Sequence, residues 1–187
     1  MFAPRRGSNN AVPAAPAPAD VPLVVGIDPG LTRCGYAVVQ PGAKPILRAL
    51  GVLTTPASDD LPERLARLQS DLVDLFDEFA PRAVAVERVF FQHNTRTAMG
   101  VAQVSGVVMA LAASRGCAVV QYTPTEVKNA VAGFGGADKA AIARMVQIRC
   151  GLGSLPTPAD AADAAALALC HVASEPFARS VAGAMSR

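Results

Sequence analysis

The sequence predicts an α/β domain with a mixed five-stranded sheet, three antiparallel strands followed by two parallel ones, and helices on both faces. The chain has 187 residues, 51% of them hydrophobic, which is enough for one domain with a substantial core. Three short apolar segments separated by turn residues come first, as in an antiparallel meander. Helix and strand patterns then alternate, as they do when helices connect parallel strands.

Turn residues delimit the first three strands. A buried strand is predicted over residues 23–28, because this apolar run ends at Pro29-Gly30. Two further strands are predicted over residues 34–40 and 46–55, with Pro41-Gly42 between them. These segments predict the antiparallel half of the sheet.

The next predicted element is an amphipathic helix that Pro81 ends. Asp60 and Glu63 have the spacing of an N-cap and a following acid. An apolar stripe at helical spacing follows, formed by Leu61, Leu65, Leu68, Leu72, Phe76 and Phe79. Further along, the patterns predict strands over residues 83–87 and 117–122, a helix over residues 95–114, and helices beginning at Pro124, Ala137 and Pro158.

Composition sets the domain limits and the expected location. Residues 1–22 hold five prolines and an Ala/Pro run, so we expect a disordered tail, followed by one domain over residues 23–187.

The longest apolar stretch, residues 98–113, is interrupted by polar residues and glycines and is too short to cross a bilayer, which argues against a membrane protein. The cysteines form no Cys-x-x-Cys pair and are interpreted as reduced core residues of a cytoplasmic protein: Cys34, Cys117, Cys150 and Cys170.

Charge is distributed unevenly along the chain. Residues 59–78 contain seven acidic residues and two arginines, whereas residues 88–149 contain seven basic residues and two acidic ones. A basic second half is compatible with a polyanionic partner on one face of the domain. Two ordinary solvated surfaces would explain the same asymmetry.

Two carboxylates end two predicted buried strands. Asp28 follows apolar neighbours, where a charge costs free energy unless it has a partner or a function; a turn-forming role is the alternative. Glu87 is a poor strand residue, and an ion pair with Arg82 or Arg88 is the alternative explanation for it. Because sites in α/β proteins lie at the carboxyl ends of strands, Asp28 and Glu87 together form a candidate site.

Asp160 and Asp163 lie near the start of the last predicted helix. Thr157 suits the N-cap, Pro158 the first helical position and Asp160 the third. The helix dipole favours acids at a helix start, which explains Asp160 without any function. Asp163 lies three residues further on the same face, ahead of an apolar run, so we expect its side chain to have a specific partner.

A cluster of these four carboxylates would favour metal-dependent chemistry. Carboxylates that converge repel one another, and a hard divalent cation removes that conflict. Mg²⁺ prefers oxygen ligands, and two ions about 4 Å apart can activate a water and stabilise the leaving oxygen of a phosphodiester. The two histidines, His93 and His171, are too few for a catalytic zinc site.

Aromatic and basic residues near these acids are compatible with a nucleic-acid interface. Phe90 and Phe91 follow Glu87 closely; one of them could belong to the core while the other stacks on bases. Lys128 and Lys139 flank a glycine-rich segment. That segment could admit a phosphate backbone or could simply be a loop.

Four motifs then occur in a consistent order. They are Gly26-Ile-Asp28-Pro-Gly30, Glu87-Arg-Val-Phe90 with Asn94, Gly133-Phe-Gly135-Gly-Ala137-Asp-Lys139, and Asp160-Ala-Ala-Asp163 with His171. Together they resemble the RuvC family of bacterial Holliday-junction resolvases. The resemblance covers about residues 23–173. Each motif is weak alone, but four at consistent separations are specific.

The resemblance implies a fold, an activity and a metal site. It implies an RNase H-like nuclease domain that forms a homodimer and nicks two strands of like polarity in four-way junction DNA. It implies that Asp28, Glu87, Asp160 and Asp163 are catalytic and bind metal, with two Mg²⁺ ions per site and Mn²⁺ as the alternative. It also implies cooperation with the RuvA–RuvB branch-migration complex.

The resemblance further implies which residues contact DNA. Phe90 would be inserted at the junction, although the neighbouring Phe91 leaves open which ring inserts. Arg88 would either touch the scissile phosphate or pair with Glu87. The complete implied DNA-binding set is Phe90, Phe91, Arg88, Asn94, Lys128 and Lys139.

Two other function classes stay open at the level of sequence. Residues 28–32 also resemble the first phosphate loop of the actin-like and sugar-kinase ATPases, although those enzymes need two such domains. A non-catalytic junction-binding module on the same fold is the second alternative. It has little reason to keep four acids, since they repel DNA when no metal is present.

Overall fold

The computed structural model describes residues 22–89 and 95–185, with side chains over residues 22–89 and 98–174. The predictions for residues 1–21, for Phe90 and Phe91, and for Asn94 lie outside the described residues.

The described strands form one mixed sheet in the order β3-β2-β1-β4-β5. β1 (Val24–Asp28) pairs antiparallel with β2 (Arg33–Gln40), which pairs antiparallel with β3 (Ile46–Thr54). On the other side β1 pairs parallel with β4 (Ala83–Glu87), and β4 pairs parallel with β5 (Ala118–Tyr122). The predicted sheet is confirmed, and the strand ends differ from the prediction by one residue at most.

Five helices in the described residues cover the two faces of the sheet. They are α1 (Leu61–Phe79), α2 (Thr95–Ser114), α3 (Pro124–Ala132), α4 (Lys139–Cys150) and α5 (Ala159–Met185). The helix α5 packs directly on β1 and β2 and also contacts α3 and α4, whereas α1 and α2 cover the opposite face. The prediction of helices on both faces is therefore confirmed.

The alternation of side chains along β1 determines which residues face α5. Val25 and Ile27 belong to the core under α1 and α2, and Val24 belongs to the core under α5. Because neighbouring strand residues point to opposite faces, Asp28 lies on the same face as Val24 and Gly26. The first strand thus directs a carboxylate toward the start of α5.

Two predicted helix starts are wrong by one or two residues. The helix α4 begins at Lys139 and not at Ala137, because the Asp138 side chain accepts a hydrogen bond from the backbone N–H of Ala141 at 2.7 Å and acts as the N-cap. The helix α5 begins at Ala159, and the Pro158 carbonyl accepts the first helical hydrogen bonds. Pro158 therefore holds the cap position predicted for Thr157, and Asp160 is the second helical residue.

The start of α1 also differs in part from prediction, whereas the four cysteines lie in the core or against it. Asp60 occupies the N-cap of α1, but its side chain makes no capping hydrogen bond within the described residues, and Leu61 is exposed. The buried residues of this helix are Leu68, Leu72, Leu75 and Phe76. None of the four cysteines forms a disulfide; Cys34 and Cys170 are buried, whereas Cys117 and Cys150 are partly buried and pack against the core. Among the described helices, none is long and apolar enough to cross a membrane.

Candidate active site

Asp28 and Glu87 lie side by side at the carboxyl ends of β1 and β4. The parallel register of these strands runs through Ile27 and Val86, which brings the next residues, Asp28 and Glu87, to the same edge. The charge of Glu87 and a hydrogen bond to its side chain both help to raise the pKa of Asp28, so the two carboxyl groups lie close together. Adjacent parallel strands thus bring the two acids together without help from any loop.

Two glycines bring the backbone of α5 against the sheet beside these acids. A Cβ atom at Gly35 would lie 2.1 Å from the carbonyl oxygen of Asp160, and one at Gly26 would lie 2.0 Å from that of Ala164. Gly35 is paired with Asp28 across β1 and β2. The absence of a side chain at Gly35 therefore places Asp160 next to Asp28.

The four carboxylates interact electrostatically. The pKa of Asp28 is raised from 3.8 to about 7, mainly by burial and then by the nearby charges of Glu87, Asp163 and Asp160. A pKa near 7 for an aspartate indicates a carboxyl group that is removed from water and has other acids nearby.

Two cationic side chains bind the carboxylates of α5. The Nε and Nη2 atoms of Arg33 each lie 2.8 Å from Oδ2 of Asp160. Lys139 Nζ lies 2.8 Å from Oδ2 of Asp163, and this hydrogen bond raises the pKa of Lys139. Asp163 therefore has the specific partner expected for a polar residue beside an apolar run.

The donor chemistry of the site fits a hard divalent cation. Among the described side chains, those of residues 22–89 and 98–174, no three from Asp, Glu, His or Cys stand close enough together to hold a metal ion as they are arranged. The α5 carboxylates are instead bound to Arg33 and Lys139. Carboxylate oxygens are nevertheless the ligands that Mg²⁺ prefers, and their mutual repulsion at Asp28 is the conflict that a cation would relieve.

The other described candidates are Arg88, Lys128 and Lys139, and only Lys139 has a described contact with one of the acids. Arg88 follows β4, and its Nη2 donates a long hydrogen bond of 3.4 Å to the Gln121 carbonyl. Lys128 is half-buried on α3, whereas the side chain of Lys139 is 82% exposed at the first residue of α4. A cation at a helix N-terminus interacts unfavourably with the helix dipole, and a nearby anion such as Asp163 or a phosphate would compensate for this at Lys139.

Two contacts at the site were missed from the sequence. Arg33 stands five residues after Asp28 at the start of β2, and no local pattern in the sequence indicates its contact with Asp160. His171 is buried, and its Nδ1 lies 2.9 Å from the hydroxyl of Tyr122. That contact ties α5 to the end of β5, one strand away from Glu87.

The raised pKa of Asp28 leads to a stability prediction. Because the folded-state pKa of about 7 exceeds the ordinary 3.8, the folded protein favours the neutral carboxyl. The stability associated with that neutral form is fully present below about pH 4 and is lost as the pH rises through 7. In a metal chelator, Asp28→Asn should therefore raise the free energy of unfolding at pH 8 by on the order of 1–3 kcal/mol, and the gain should shrink toward pH 4.

Thermal unfolding of both proteins from pH 4.5 to 8.5 in EDTA measures this effect. Asp74→Asn, at an exposed position of α1, is the control and should show no such pH-dependent gain. Equal melting temperatures for wild type and Asp28→Asn at pH 8 would contradict the prediction.

Comparison with known proteins gives a consistent family match. The family described as crossover junction endodeoxyribonuclease RuvC matches residues 24–171. A protein of that name from Streptomyces avermitilis is 52% identical over 151 residues, which is 80% of this chain and 86% of the relative. A protein of the same name from Salinispora arenicola is 54% identical over the same share of each chain.

Solved structures agree with the family match. The structure of Thermus thermophilus RuvC covers 83% of this chain and 96% of its own, at 37% identity and a TM-score of 0.78. The same protein in complex with a Holliday junction substrate gives a TM-score of 0.80 at the same identity and coverage.

Proposed function

This chain belongs to the RuvC family of crossover junction endodeoxyribonucleases, and on that premise we propose that it resolves four-way DNA junctions by paired symmetric nicks during recombination and repair. The observation that carries the proposal is the group of four carboxylates at the carboxyl ends of β1 and β4 and the start of α5. Family membership disfavours the ATPase alternative. The four acids disfavour a module that only binds junction DNA, because without metal they would repel it.

We propose that Asp28, Glu87, Asp160 and Asp163 hold divalent metal, with two Mg²⁺ ions per site and Mn²⁺ as a substitute. When bound, such ions supply a water of lowered pKa and stabilise charge on the leaving oxygen of the phosphodiester. The parallel pairing of β1 and β4 brings the two strand-end carboxylates side by side. The close contact of α5 with Gly35 fixes Asp160 beside them.

The proposed DNA contacts come from the segment that follows β4 and from the helices α3 and α4. Lys128, Lys139 and Arg88 would bind phosphates, and Phe90, Phe91 and Asn94 would contact the bases at the exchange point. The side chain of Lys139 is exposed at a helix N-terminus, which supports a role in binding phosphate and not only in stabilising the fold. Arg88 is exposed at the end of β4, directly after Glu87.

We propose a homodimer in the cytoplasm that cooperates with the RuvA–RuvB complex. One face of α2 packs into the core through Val104 and Val108. Another leaves Met99, Gly106 and Ala110 exposed, and these small and apolar residues suit a helix–helix contact with a second copy. A two-fold dimer would present two identical sites to a junction of approximate two-fold symmetry.

Replacement of Lys139 tests the proposed phosphate contact. Lys139→Ala should weaken junction binding and make the slope of log affinity against log salt less negative by about 0.9, the value for one lost phosphate contact. Lys44→Ala is the matched control, because Lys44 is exposed in the β2–β3 turn at the opposite end of the sheet. Fluorescence anisotropy at several salt concentrations measures both slopes, and an unchanged slope for Lys139→Ala would remove it from the DNA surface.

Mapping of nicks on a mobile four-way junction tests the function itself. With Mg²⁺ we expect two nicks, placed symmetrically in strands of like polarity. With EDTA, or with a linear duplex of the same sequence, we expect none. Binding without nicks in either Mg²⁺ or Mn²⁺ would favour the non-catalytic module, and ATP hydrolysis without nicks would favour the ATPase.

A further inference from the structure

Arg33 is fixed at its backbone but exposed at its side chain. The turn that precedes it is anchored, because Arg64 donates a hydrogen bond to the Thr32 hydroxyl at 2.7 Å and the Thr55 hydroxyl donates one to the Leu31 carbonyl at 2.6 Å. Arg33 itself begins β2 opposite Thr54. Its side chain is 48% exposed, so only the guanidinium end is free to change partners.

Both guanidinium contacts go to a single oxygen. Nε and Nη2 of Arg33 lie 2.8 Å from Oδ2 of Asp160, whose side chain is 32% exposed. A hard divalent cation binds a carboxylate oxygen at about 2.1 Å. Such a cation would repel a guanidinium held on the same carboxylate, so a metal ion on Asp160 would weaken the contact of that residue with Arg33.

The position of Arg33 also suits a phosphate. A guanidinium carries paired donors that match phosphate oxygens, and Arg is favoured where such paired contacts are made. A phosphodiester hydrolysed at this site must lie against the metal ligands, and therefore beside Asp160. A guanidinium released from Asp160 would be within reach of that phosphate without any movement of the backbone.

We propose that Arg33 exchanges partners: it neutralises Asp160 in the metal-free protein, and it binds a phosphate of the DNA beside the scissile bond once metal has taken Asp160. This inference rests on the proposed function, because it requires Asp160 to be a metal ligand. It makes Arg33 a competitor of the metal and a ligand of the substrate in the same catalytic cycle.

Metal affinity of the protein without DNA provides the first test. Arg33→Ala should bind Mn²⁺ about three- to tenfold more tightly than wild type in isothermal titration, because the competing cation is gone. Arg67→Ala on α1, whose guanidinium is 3.9 Å from Asp59, is the matched surface control and should leave Mn²⁺ affinity unchanged. Unchanged or weaker Mn²⁺ binding by Arg33→Ala would show that the ion pair only holds α5 to β2, and the proposal would be wrong.

Junction affinity provides the second test. In Ca²⁺, with a denaturing gel to verify that the junction is uncut, Arg33→Ala should bind the junction several-fold more weakly and with a salt slope smaller by about 0.9. In EDTA the loss should be much smaller, because Arg33 is then held by Asp160. Arg33→Lys should restore the slope but only part of the affinity, since a single ammonium lacks the paired donors.

The outcomes separate this inference from the proposed function. Equal losses of junction affinity in Ca²⁺ and EDTA would overturn the exchange of partners while leaving nuclease activity in place. A wild-type protein that neither binds Mn²⁺ nor nicks junctions would instead contradict the proposed function, whatever Arg33 does.

Discussion

Asp28→Asn is expected to reduce junction nicking by about 10³-fold or more, because one ligand of a metal site is worth several kcal/mol of transition-state stabilisation. Asp28 interacts with all three other acids, so its loss should affect the whole site. Junction binding should persist, since removal of a negative charge lowers the repulsion of DNA.

Single-turnover nicking and fluorescence anisotropy measure the two effects separately. Asp74→Asn, on the exposed face of α1, controls for the loss of one carboxylate and should nick at the wild-type rate. Glu87→Gln should resemble Asp28→Asn, because both residues are proposed metal ligands at the ends of adjacent parallel strands. Nicking by Asp28→Asn at a rate near wild type would remove Asp28 from the catalytic machinery.

Gly35→Ala is expected to lower the free energy of unfolding by about 3 kcal/mol, since a methyl group there would overlap the backbone of α5. The added Cβ would lie 2.1 Å from the Asp160 carbonyl oxygen and 2.5 Å from its carbonyl carbon. Backbone atoms cannot turn aside as a flexible side chain can. The start of α5, and with it Asp160, must therefore move away from Asp28.

Chemical denaturation measures the stability loss, and nicking at a temperature where the variant is fully folded measures the displacement. We expect nicking to fall even when the protein is folded. Gly42→Ala is the matched control, because within the described residues its Cβ would meet only the Lys44 carbonyl at 3.6 Å, an ordinary contact. Wild-type stability and activity in Gly35→Ala would contradict the placement of Asp160 by this contact.

The sheet was predictable because its signals are local. An apolar run that is followed by a turn-forming Pro-Gly pair, as at Pro29-Gly30 and Pro41-Gly42, predicts where a strand ends. The observed strands agree with these predictions within one residue. Helix starts were less predictable, because the cap of α5 depends on which carbonyl accepts the first hydrogen bonds. Pro158 does so, one residue after the position expected from side-chain type.

The acids of the candidate site were predictable from the sequence, but their ion-pair partners were not. Asp28 and Glu87 were identifiable because a carboxylate at the end of a buried strand is costly without a role. The ion pair of Arg33 with Asp160 joins residues 127 positions apart, and no local pattern indicates it. The contact of Gly35 with α5 also joins residues that are distant in sequence, so neither this contact nor the ion pair can be inferred from the sequence alone.

The central claim is that Asp28, Glu87, Asp160 and Asp163 together hold the metal that hydrolyses DNA. Anomalous diffraction from crystals soaked in Mn²⁺ tests it directly. We expect anomalous peaks about 2–2.3 Å from carboxylate oxygens of these four residues, with Arg33 moved off Oδ2 of Asp160. The absence of any peak at these carboxylates, in protein that nicks junctions in the same Mn²⁺ solution, would contradict the claim.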